Sequence, residues 1–236
     1  ALGGDAWEPG NLRRLPAKAL QEEADLYNRI ENDLAWPVQV MLNIIILMGK
    51  PPPASKQASR PIALMAMLYR VWTKIRRAEM TLFEVGVSGE WDAALKGSSA
   101  LRAGVWSALQ DELAYNNGDT ATSILWDMEK FYDNISIPLL ISRAQGLGIN
   151  VRYLFLAISM HMCPRVISAY GHYGDLIMPH NGIIAGCSFS NTFARLLLHA
   201  CLAKGSTNTL VQQRQFVDDI RQTAVAKHPT TSHQRL

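Results

Sequence analysis

Two short apolar segments of the chain run directly into aspartates. The segment "TSILW" (122–126) leads into Asp127, while "LVQQRQFV" and "IRQTAVA" stand on either side of the pair Asp218–Asp219. This pattern predicts three β-strands, the last two joined as a hairpin at the aspartate pair. If the first strand is a neighbour of the hairpin in one sheet, three carboxylates meet at one edge. Because adjacent carboxylates repel, the pair is either a solvated turn or a site where a divalent cation offsets the repulsion.

Helical and strand-like segments alternate along the rest of the chain. Apolar spacing predicts helices over 17–34, 62–83, 99–116, 138–148, 151–162 and 190–204. Strands are predicted over 38–48 and, as a hairpin, over 165–170 and 174–180, with an exposed proline-rich loop over 49–59. Strands that deliver carboxylates, with helices between them in sequence, predict an α+β fold in which a sheet lies against helices.

Composition restricts the class of protein. The 236 residues are 48% apolar and 18% charged, which suits a compact globular core, and the net charge of +3 permits a nucleic-acid partner without requiring one. The longest apolar run (41–48) is far shorter than the roughly 20 residues of a membrane-spanning helix, so no membrane association is expected. The three cysteines are irregularly spaced, which argues against a disulfide framework and favours a reducing compartment.

The expected carboxylate cluster suits Mg²⁺. This hard cation takes oxygen ligands and is commonly held by one or two carboxylates together with substrate phosphates. Two such ions about 4 Å apart can activate an attacking 3′-hydroxyl and stabilise a leaving pyrophosphate. From spacing alone a solvated turn explains the same aspartates, so the choice depends on the surrounding sequence.

Three segments, in the right order, resemble the catalytic motifs of reverse transcriptases. "ILWDMEKFYDNI" (124–135) resembles the first motif, with two aspartates separated by five residues and a lysine and an aromatic between them. "GIIAGCSFS" (182–190) resembles the second, a glycine-rich turn that enters a helix. "FVDD" (216–219) resembles the third, an aromatic and one variable residue before two aspartates.

Flanking segments extend the resemblance over nearly the whole chain. "SRPIALMAMLYRVWTKI" (59–75) is similar to the fingers segment, and "ALGGDAW" and "LKGSSALRAGV" resemble blocks of non-LTR retrotransposon and group II intron enzymes. The resemblance implies the fingers and palm of a right-hand polymerase, with an antiparallel palm sheet packed on helices. We expect a fingers-like region over 1–120 and a palm-like region over 121–236, cut from a longer protein after the Asp-Asp motif and without a thumb.

The resemblance assigns catalytic metal ligands and nucleotide contacts. Asp127, Asp218 and Asp219 match the ligands of two Mg²⁺ ions, for which Mn²⁺ can substitute. Tyr132 matches an aromatic that lies against the sugar of the incoming nucleotide and would clash with a ribose 2′-hydroxyl. A core aromatic is the alternative for Tyr132.

Three further positions match the binding of the incoming nucleotide. Lys50 and Arg60 match basic fingers residues that hold the triphosphate, as an ammonium and a guanidinium group can. Gly186, like Gly182, would let the backbone approach the nucleotide or template, which a Cβ would obstruct. A solvated loop lysine is the alternative for Lys50.

The activity implied is RNA-directed DNA polymerisation in a retroelement: transfer of dNTPs to a DNA primer 3′-end along an RNA template. Ala185 departs from the family, which usually has glutamine before the second glycine of the middle motif, and Phe131 stands where related elements mostly have a small residue. The alternative is a catalytically decayed or truncated retroelement fragment that only binds nucleic acid. The intact aspartates favour catalysis, whereas Ala185 and the truncation favour decay.

Two other interpretations have less support. A polymerase that makes RNA normally has an asparagine four residues after the serine or threonine of its middle motif, where this chain has Ala194 after Ser190. A zinc module would use two histidines and two cysteines whose spacings match no tight ligand pairs, so scattered core residues explain them better; these are His161, Cys163, His172 and Cys187.

Overall fold

The computed structural model describes residues 3–49, 59–169, 171–205 and 210–235. Its helices are α1 (Pro9–Leu12), α2 (Ala17–Asp33), α3 (Met67–Ile75), α4 (Arg77–Val87), α5 (Ala100–Asn116), α6 (Ile137–Gly146), α7 (Val151–His161), α8 (Ser190–Gly205) and α9 (Pro229–Arg235). Its strands are β1 (Asn43–Gly49), β2 (Ser59–Leu64), β3 (Thr120–Trp126), β4 (Arg165–Ala169), β5 (His172–Ile177), β6 (Val211–Phe216) and β7 (Asp219–Ala226). Within the described ranges, none of the helices combines the length and apolarity needed to cross a lipid bilayer.

The chain divides into two compact units, each assembled from separate stretches of sequence. The first comprises Ala1–Ala78 and Tyr132–Ser190, and the second comprises Glu79–Phe131 and Asn191–Leu236. These units are defined by how compactly the chain packs, whereas the predicted regions were defined by function. The fingers-like region over 1–120 and the palm-like region over 121–236 therefore stay predictions.

A four-stranded sheet of order β2-β1-β4-β5 organises the first unit. β1 pairs with β2 in antiparallel and with β4 in parallel, so the sheet joins strands that are far apart in sequence. β4 and β5 form an antiparallel hairpin, which confirms the hairpin predicted there.

The core of the first unit is a cluster of aromatic rings around Trp72, a fully buried side chain. Its indole N–H donates to Glu31 at 2.7 Å, which satisfies the polar atom that burial would otherwise leave unpaired. Ring centroids lie between 5.4 and 5.9 Å from Trp72 for Trp36, Tyr69, Tyr153 and Phe189. Because Phe189 belongs to the glycine-rich segment, this cluster anchors that segment in the core.

The second unit contains the three-stranded antiparallel sheet of order β3-β7-β6. Helix α9 packs against it through the Ser232 and Thr122 hydroxyls, 2.7 Å apart, and through the Arg235 guanidinium, which donates to the Val225 carbonyl at 2.6 Å. Helix α5 is linked to the sheet by Asp111, which accepts from Arg221 at 2.7 Å. The strand before Asp127 adjoins the hairpin, which is the condition on which the expected meeting of the aspartates depended.

Two predicted elements begin later than expected. The strand predicted over 38–48 begins at Asn43, after a short 3₁₀ turn at Val38–Val40, and the Asn43 side chain is buried and donates to the Met160 carbonyl at 2.8 Å. The helix predicted over 62–83 was wrong in its first turn. Residues 59–64 form β2 because pairing with β1 satisfies their backbone groups, and α3 and α4 follow with a break at Arg76.

Both end residues of the predicted loop over 49–59 belong to strands instead. Gly49 pairs with Ser59 at the end of the β1–β2 ladder, so both residues belong to strands. Residues 50–58, and with them Lys50, lie outside the described ranges.

Candidate active site

Strand pairing in the second unit brings the three predicted aspartates to one edge of a sheet. β3 and β7 run antiparallel, and Trp126 stands opposite Ile220. The next residue along β3 is Asp127, and the preceding residue on β7 is Asp219, so these two residues meet at the end of the ladder. Asp218 precedes Asp219 in the turn that joins β6 to β7.

That turn is a two-residue hairpin connection formed by Val217 and Asp218, because Phe216 pairs with Asp219. Val217 has φ of 62°, a left-handed conformation that hairpin turns of this length require and that a β-branched residue rarely adopts. Such a residue costs about 1–3 kcal/mol and persists only where neighbouring contacts enforce it. Here the Gln215 side chain donates to the Val217 carbonyl.

The charges of Asp218 and Asp127 act on the Asp219 carboxyl. Partial burial, then the charge of Asp218, then that of Asp127, raises the pKa of the Asp219 carboxyl. The repulsion that the adjacent aspartates imply is therefore present in the folded chain, where a bound cation would relieve it.

The donor chemistry of this edge fits Mg²⁺, since carboxylate oxygens are its preferred protein ligands. Within the described ranges, however, no group of three or more His, Cys, Asp or Glu side chains is gathered closely enough to hold a metal ion. Like charges without a cation between them favour separated side chains. The assignment of Asp127, Asp218 and Asp219 as metal ligands stays a prediction.

The same observation gives the zinc module no support, and all four of its residues lie within the described ranges. His161 is buried and its Nδ1 accepts from the Ile184 N–H at 2.9 Å, while burial lowers the pKa of this imidazole to about 3. The Cys163 thiol donates to the Met160 carbonyl at 3.1 Å. His161 and Cys163 belong to the core of the first unit, whereas His172 is exposed on β5, so burial explains the first two without a metal.

In the first unit, backbone hydrogen bonds connect the end of the first predicted motif (124–135) to the start of the second (182–190). The Tyr132 carbonyl accepts from the Ile183 N–H at 2.8 Å, and the Ile135 carbonyl accepts from the Gly182 N–H at 2.9 Å. Gly182 has φ of 80°, and a Cβ there would lie 2.6 Å from the Asp133 carbonyl oxygen. Glycine at 182 is therefore required both by backbone conformation and by the close approach of this turn.

Gly186 has only one of these two reasons to be glycine, its backbone conformation. Its φ is 94°, but a Cβ at this position would meet nothing within 4 Å. It lies at an open cavity of about 280 Å³ whose lining includes Tyr69, Arg70, Thr73, Lys74, Cys187 and Ser188. The resemblance predicted Gly186 for a nucleotide site, and the structure adds a cavity beside it.

Arg70 and Lys74 are cavity residues that sequence reasoning missed as binding residues. They are four residues apart on α3, so they share one face of that helix. The periodicity of α3 was the signal that could have identified them. Arg76, by contrast, stands at the break after α3 and forms a two-bond ion pair with Glu31, at 2.6 and 2.7 Å.

The remaining predicted nucleotide contacts are only partly described. Tyr132 is half-buried in a short 3₁₀ turn, Phe131–Asn134. Lys50 lies outside the described ranges, and so does the side chain of Arg60, whose backbone belongs to β2. Their predicted roles are not tested.

A second cavity lies next to the aspartates in the second unit. It has a volume of about 550 Å³, and its lining includes Asp127, Asp219, Trp126, Phe216, Arg214 and Arg221, together with small residues of α5. The Arg214 guanidinium stands 5.6 Å from the centre of the Trp106 ring, and Arg221 is paired with Asp111. These two arginines were also missed, because nothing in the sequence separates them from solvated strand residues.

Comparisons with known proteins bear on the fold. No family model matches the sequence, and no curated protein matches it. Among solved structures, the chain is similar to apo telomerase from Candida tropicalis truncated from its C-terminal domain (TM-score 0.57, 14% identity, 85% of this chain, 46% of that chain). It is also similar to apo telomerase from the same organism, with a TM-score of 0.58 and 12% identity over 93% of this chain and 45% of that chain. Telomerase from Candida albicans in complex with a TWJ fragment of telomeric RNA matches as well, with a TM-score of 0.52 and 15% identity over 84% of this chain and 39% of that chain.

These similarities show the fold. Telomerase is a reverse-transcriptase-type polymerase, and this chain has a reverse-transcriptase-like fold. The predicted α+β class, with an antiparallel palm-like sheet and helices, is confirmed. The chain spans less than half the length of these telomerases. The finer resemblance to non-LTR and group II enzymes stays a prediction.

Proposed function

We propose that the chain is an RNA-directed DNA polymerase domain of a retroelement, which transfers dNTPs to a primer 3′-end along an RNA template. The observation that carries the proposal is the meeting of Asp127, Asp218 and Asp219 at one edge of an antiparallel sheet in a reverse-transcriptase-like fold. Aspartates that are 91 residues or more apart in sequence have no local reason to share that edge.

The chain's own contribution would be to place three oxygen donors at one edge of the sheet despite their repulsion. The β3–β7 ladder sets Asp127 against Asp219, and the strained turn at Val217 fixes where Asp218 stands. Two Mg²⁺ ions, when bound there, would supply activation of the primer 3′-hydroxyl and stabilise the charge on the leaving pyrophosphate. Mn²⁺, which also takes oxygen ligands, would substitute.

Nucleotide selection is assigned to residues of the first unit. Tyr132 would lie against the sugar and disfavour a 2′-hydroxyl, a role supported by the fixed backbone at its carbonyl. Gly186 would leave room for the nucleotide, with Arg70 and Lys74 offering cationic contacts to phosphate from the cavity wall. Lys50 and Arg60 would hold the triphosphate.

The RNA template is the proposed partner, with a DNA primer and dNTPs. One structural neighbour is a telomerase in complex with a fragment of telomeric RNA, which supports nucleic acid as the partner class. The alternative is a fragment that binds nucleic acid without catalysis. It is favoured by Ala185, whose exposed methyl group replaces the amide that the family usually has there.

Single-nucleotide extension of a DNA primer on an RNA template tests the proposal. The wild-type chain and Asp218→Asn would be compared at high protein concentration, with Asp175→Asn, an exposed aspartate on β5, as a control of equal charge change. We expect extension by the wild type and the control but not by Asp218→Asn, with dNTPs strongly preferred to rNTPs. RNA binding by all three chains without extension would support the nucleic-acid-binding alternative. Equal extension by all three would contradict the aspartate site.

A further inference from the structure

A buried residue, Gln215, ties the turn that carries Asp218 to the rest of the second unit. Its side chain, 2% exposed, donates to the Val217 carbonyl, the residue with the strained left-handed φ. Its backbone N–H donates to the Trp91 carbonyl at 2.7 Å, and its carbonyl accepts from the Ala93 N–H at 2.9 Å. The backbone of Gln215 therefore holds the end of β6 against the 91–93 loop, and its side chain holds the turn.

The loop that holds Gln215 is itself fixed by buried charges. Between Trp91 and Ala93 stands Asp92, whose carboxylate accepts from the Arg195 guanidinium on α8 and from the Ala94 N–H at 2.9 Å. The Ser88 hydroxyl donates to the same carboxylate at 3.1 Å. With a charge-paired carboxylate at its centre, this loop cannot shift without breaking a buried ion pair.

Arg195 extends the support to helix α4. Its guanidinium lies 3.4 Å from the Glu84 carboxylate, which also accepts a hydrogen bond from the Thr192 hydroxyl. Both ionic partners of Arg195 are almost fully buried. A continuous set of contacts therefore runs from α4 and α8 through the 91–94 loop to the turn at Val217.

We propose that Gln215 is a positioning residue for Asp218 and Asp219: its buried amide holds the Val217 turn against a loop braced by the Arg195 ion pairs, so that the two carboxylates stand ready for metal ions. The inference rests on the proposed function for its purpose, but the geometry it describes exists without metal. A glutamine suits this role because its amide donates to the carbonyl without adding charge beside the aspartates. A glutamine with only a structural role would stabilise the fold without making the turn more rigid.

The test compares Gln215→Met, which keeps the side-chain length and removes the donor, with a matched control on the same strand. The control is Gln213→Met, which loses hydrogen bonds to the Leu202 carbonyl and to Gln222 but lies away from the turn. Gln215→Glu is the second variant, since it keeps the shape and replaces the donor by an acceptor. Amide hydrogen exchange of residues 216–220 would be followed in metal-free protein, together with primer extension and urea unfolding.

We expect at least about tenfold faster exchange in the turn and at least about tenfold slower extension for Gln215→Met, with Gln213→Met within about twofold of wild type in both. Unchanged turn exchange in both Gln215 variants would overturn the proposal, and so would faster exchange with unaltered extension. Faster turn exchange in a chain whose wild type shows no extension would uphold the turn-holding role and contradict the proposed polymerase activity instead. The two failures are therefore distinguishable.

Discussion

Replacement of Arg195 by methionine should destabilise the second unit more than any other single loss of an ion pair described above. The side chains of Arg195, Asp92 and Glu84 are 4%, 1% and 2% exposed, so the variant leaves two buried carboxylates without their cation. Methionine fills most of the space of the arginine stem, which keeps the packing loss small. The loss of unfolding free energy therefore reports mainly the cost of leaving two buried carboxylates unpaired.

The size of the effect follows from these contacts. Removal of one partner from a buried ion pair costs about 3–5 kcal/mol. Hydrogen bonds from Ser88 and Thr192 remain on the two carboxylates, so we expect the lower end, about 3 kcal/mol of unfolding free energy. For comparison, Arg76 pairs with Glu31 at a partly exposed site, with side chains 24% and 14% exposed, and Arg76→Met should cost about 1–2 kcal/mol.

Urea unfolding followed by far-ultraviolet circular dichroism, without divalent ions, measures both variants. A triple variant, Arg195→Met with Asp92→Asn and Glu84→Gln, separates charge from packing, because each amide keeps the shape and one acceptor oxygen of the carboxylate while removing the unpaired charge. The triple variant should recover at least about half of the loss. The reasoning is refuted if Arg195→Met costs no more than Arg76→Met, or if the triple variant is as unstable as the single one.

Three further predictions concern the site. Because the pKa of Asp219 is raised in the folded state, the contribution of this carboxyl to metal-free stability is greatest below its ordinary pKa and is lost as pH rises through the folded-state pKa. Asp219→Asn should flatten that dependence in urea unfolding from about pH 4 to 7 and gain at most about 1 kcal/mol at neutral pH, since the carboxyl is exposed; an unchanged slope contradicts this. Gly182→Ala should cost about 3 kcal/mol and Gly186→Ala about 1 kcal/mol, because only the first Cβ meets backbone; equal losses by thermal unfolding contradict it. Tyr132→Ala should weaken the preference for dNTPs over rNTPs by about tenfold in single-nucleotide extension, and an unaltered ratio removes Tyr132 from the sugar site.

Local signals in the sequence predicted much of the fold. The helices at Ala17–Asp33 and Ala100–Asn116 and the hairpin around Asp218 agree with their predicted positions to within about two residues. Apolar spacing, turn residues and capping residues act over a few positions, and the sequence displays them directly. Ser99, for example, accepts from the Arg102 N–H and caps α5 where the prediction began that helix.

Contacts between distant residues could not be predicted in this way. Residues 62–64 were predicted as the first turn of a helix, yet they belong to β2 because β1 supplies partners for their backbone groups. Asp92 and Arg195 are 103 positions apart, and each resembles a solvated surface charge until burial brings them together. Gln215 likewise looked like one of several polar strand residues.

The sequence by itself determined most of the strands and helices, though not β2, and it placed aspartates at the ends of two of the strands. Only the tertiary structure decided that those ends share one edge, that the Val217 turn is held by Gln215, and that Arg195 braces the loop behind it. Secondary structure follows from interactions within a few residues, which the order of amino acids shows. The pairing of distant strands and the burial of charges depend on free energies that exist only when separated parts of the chain meet.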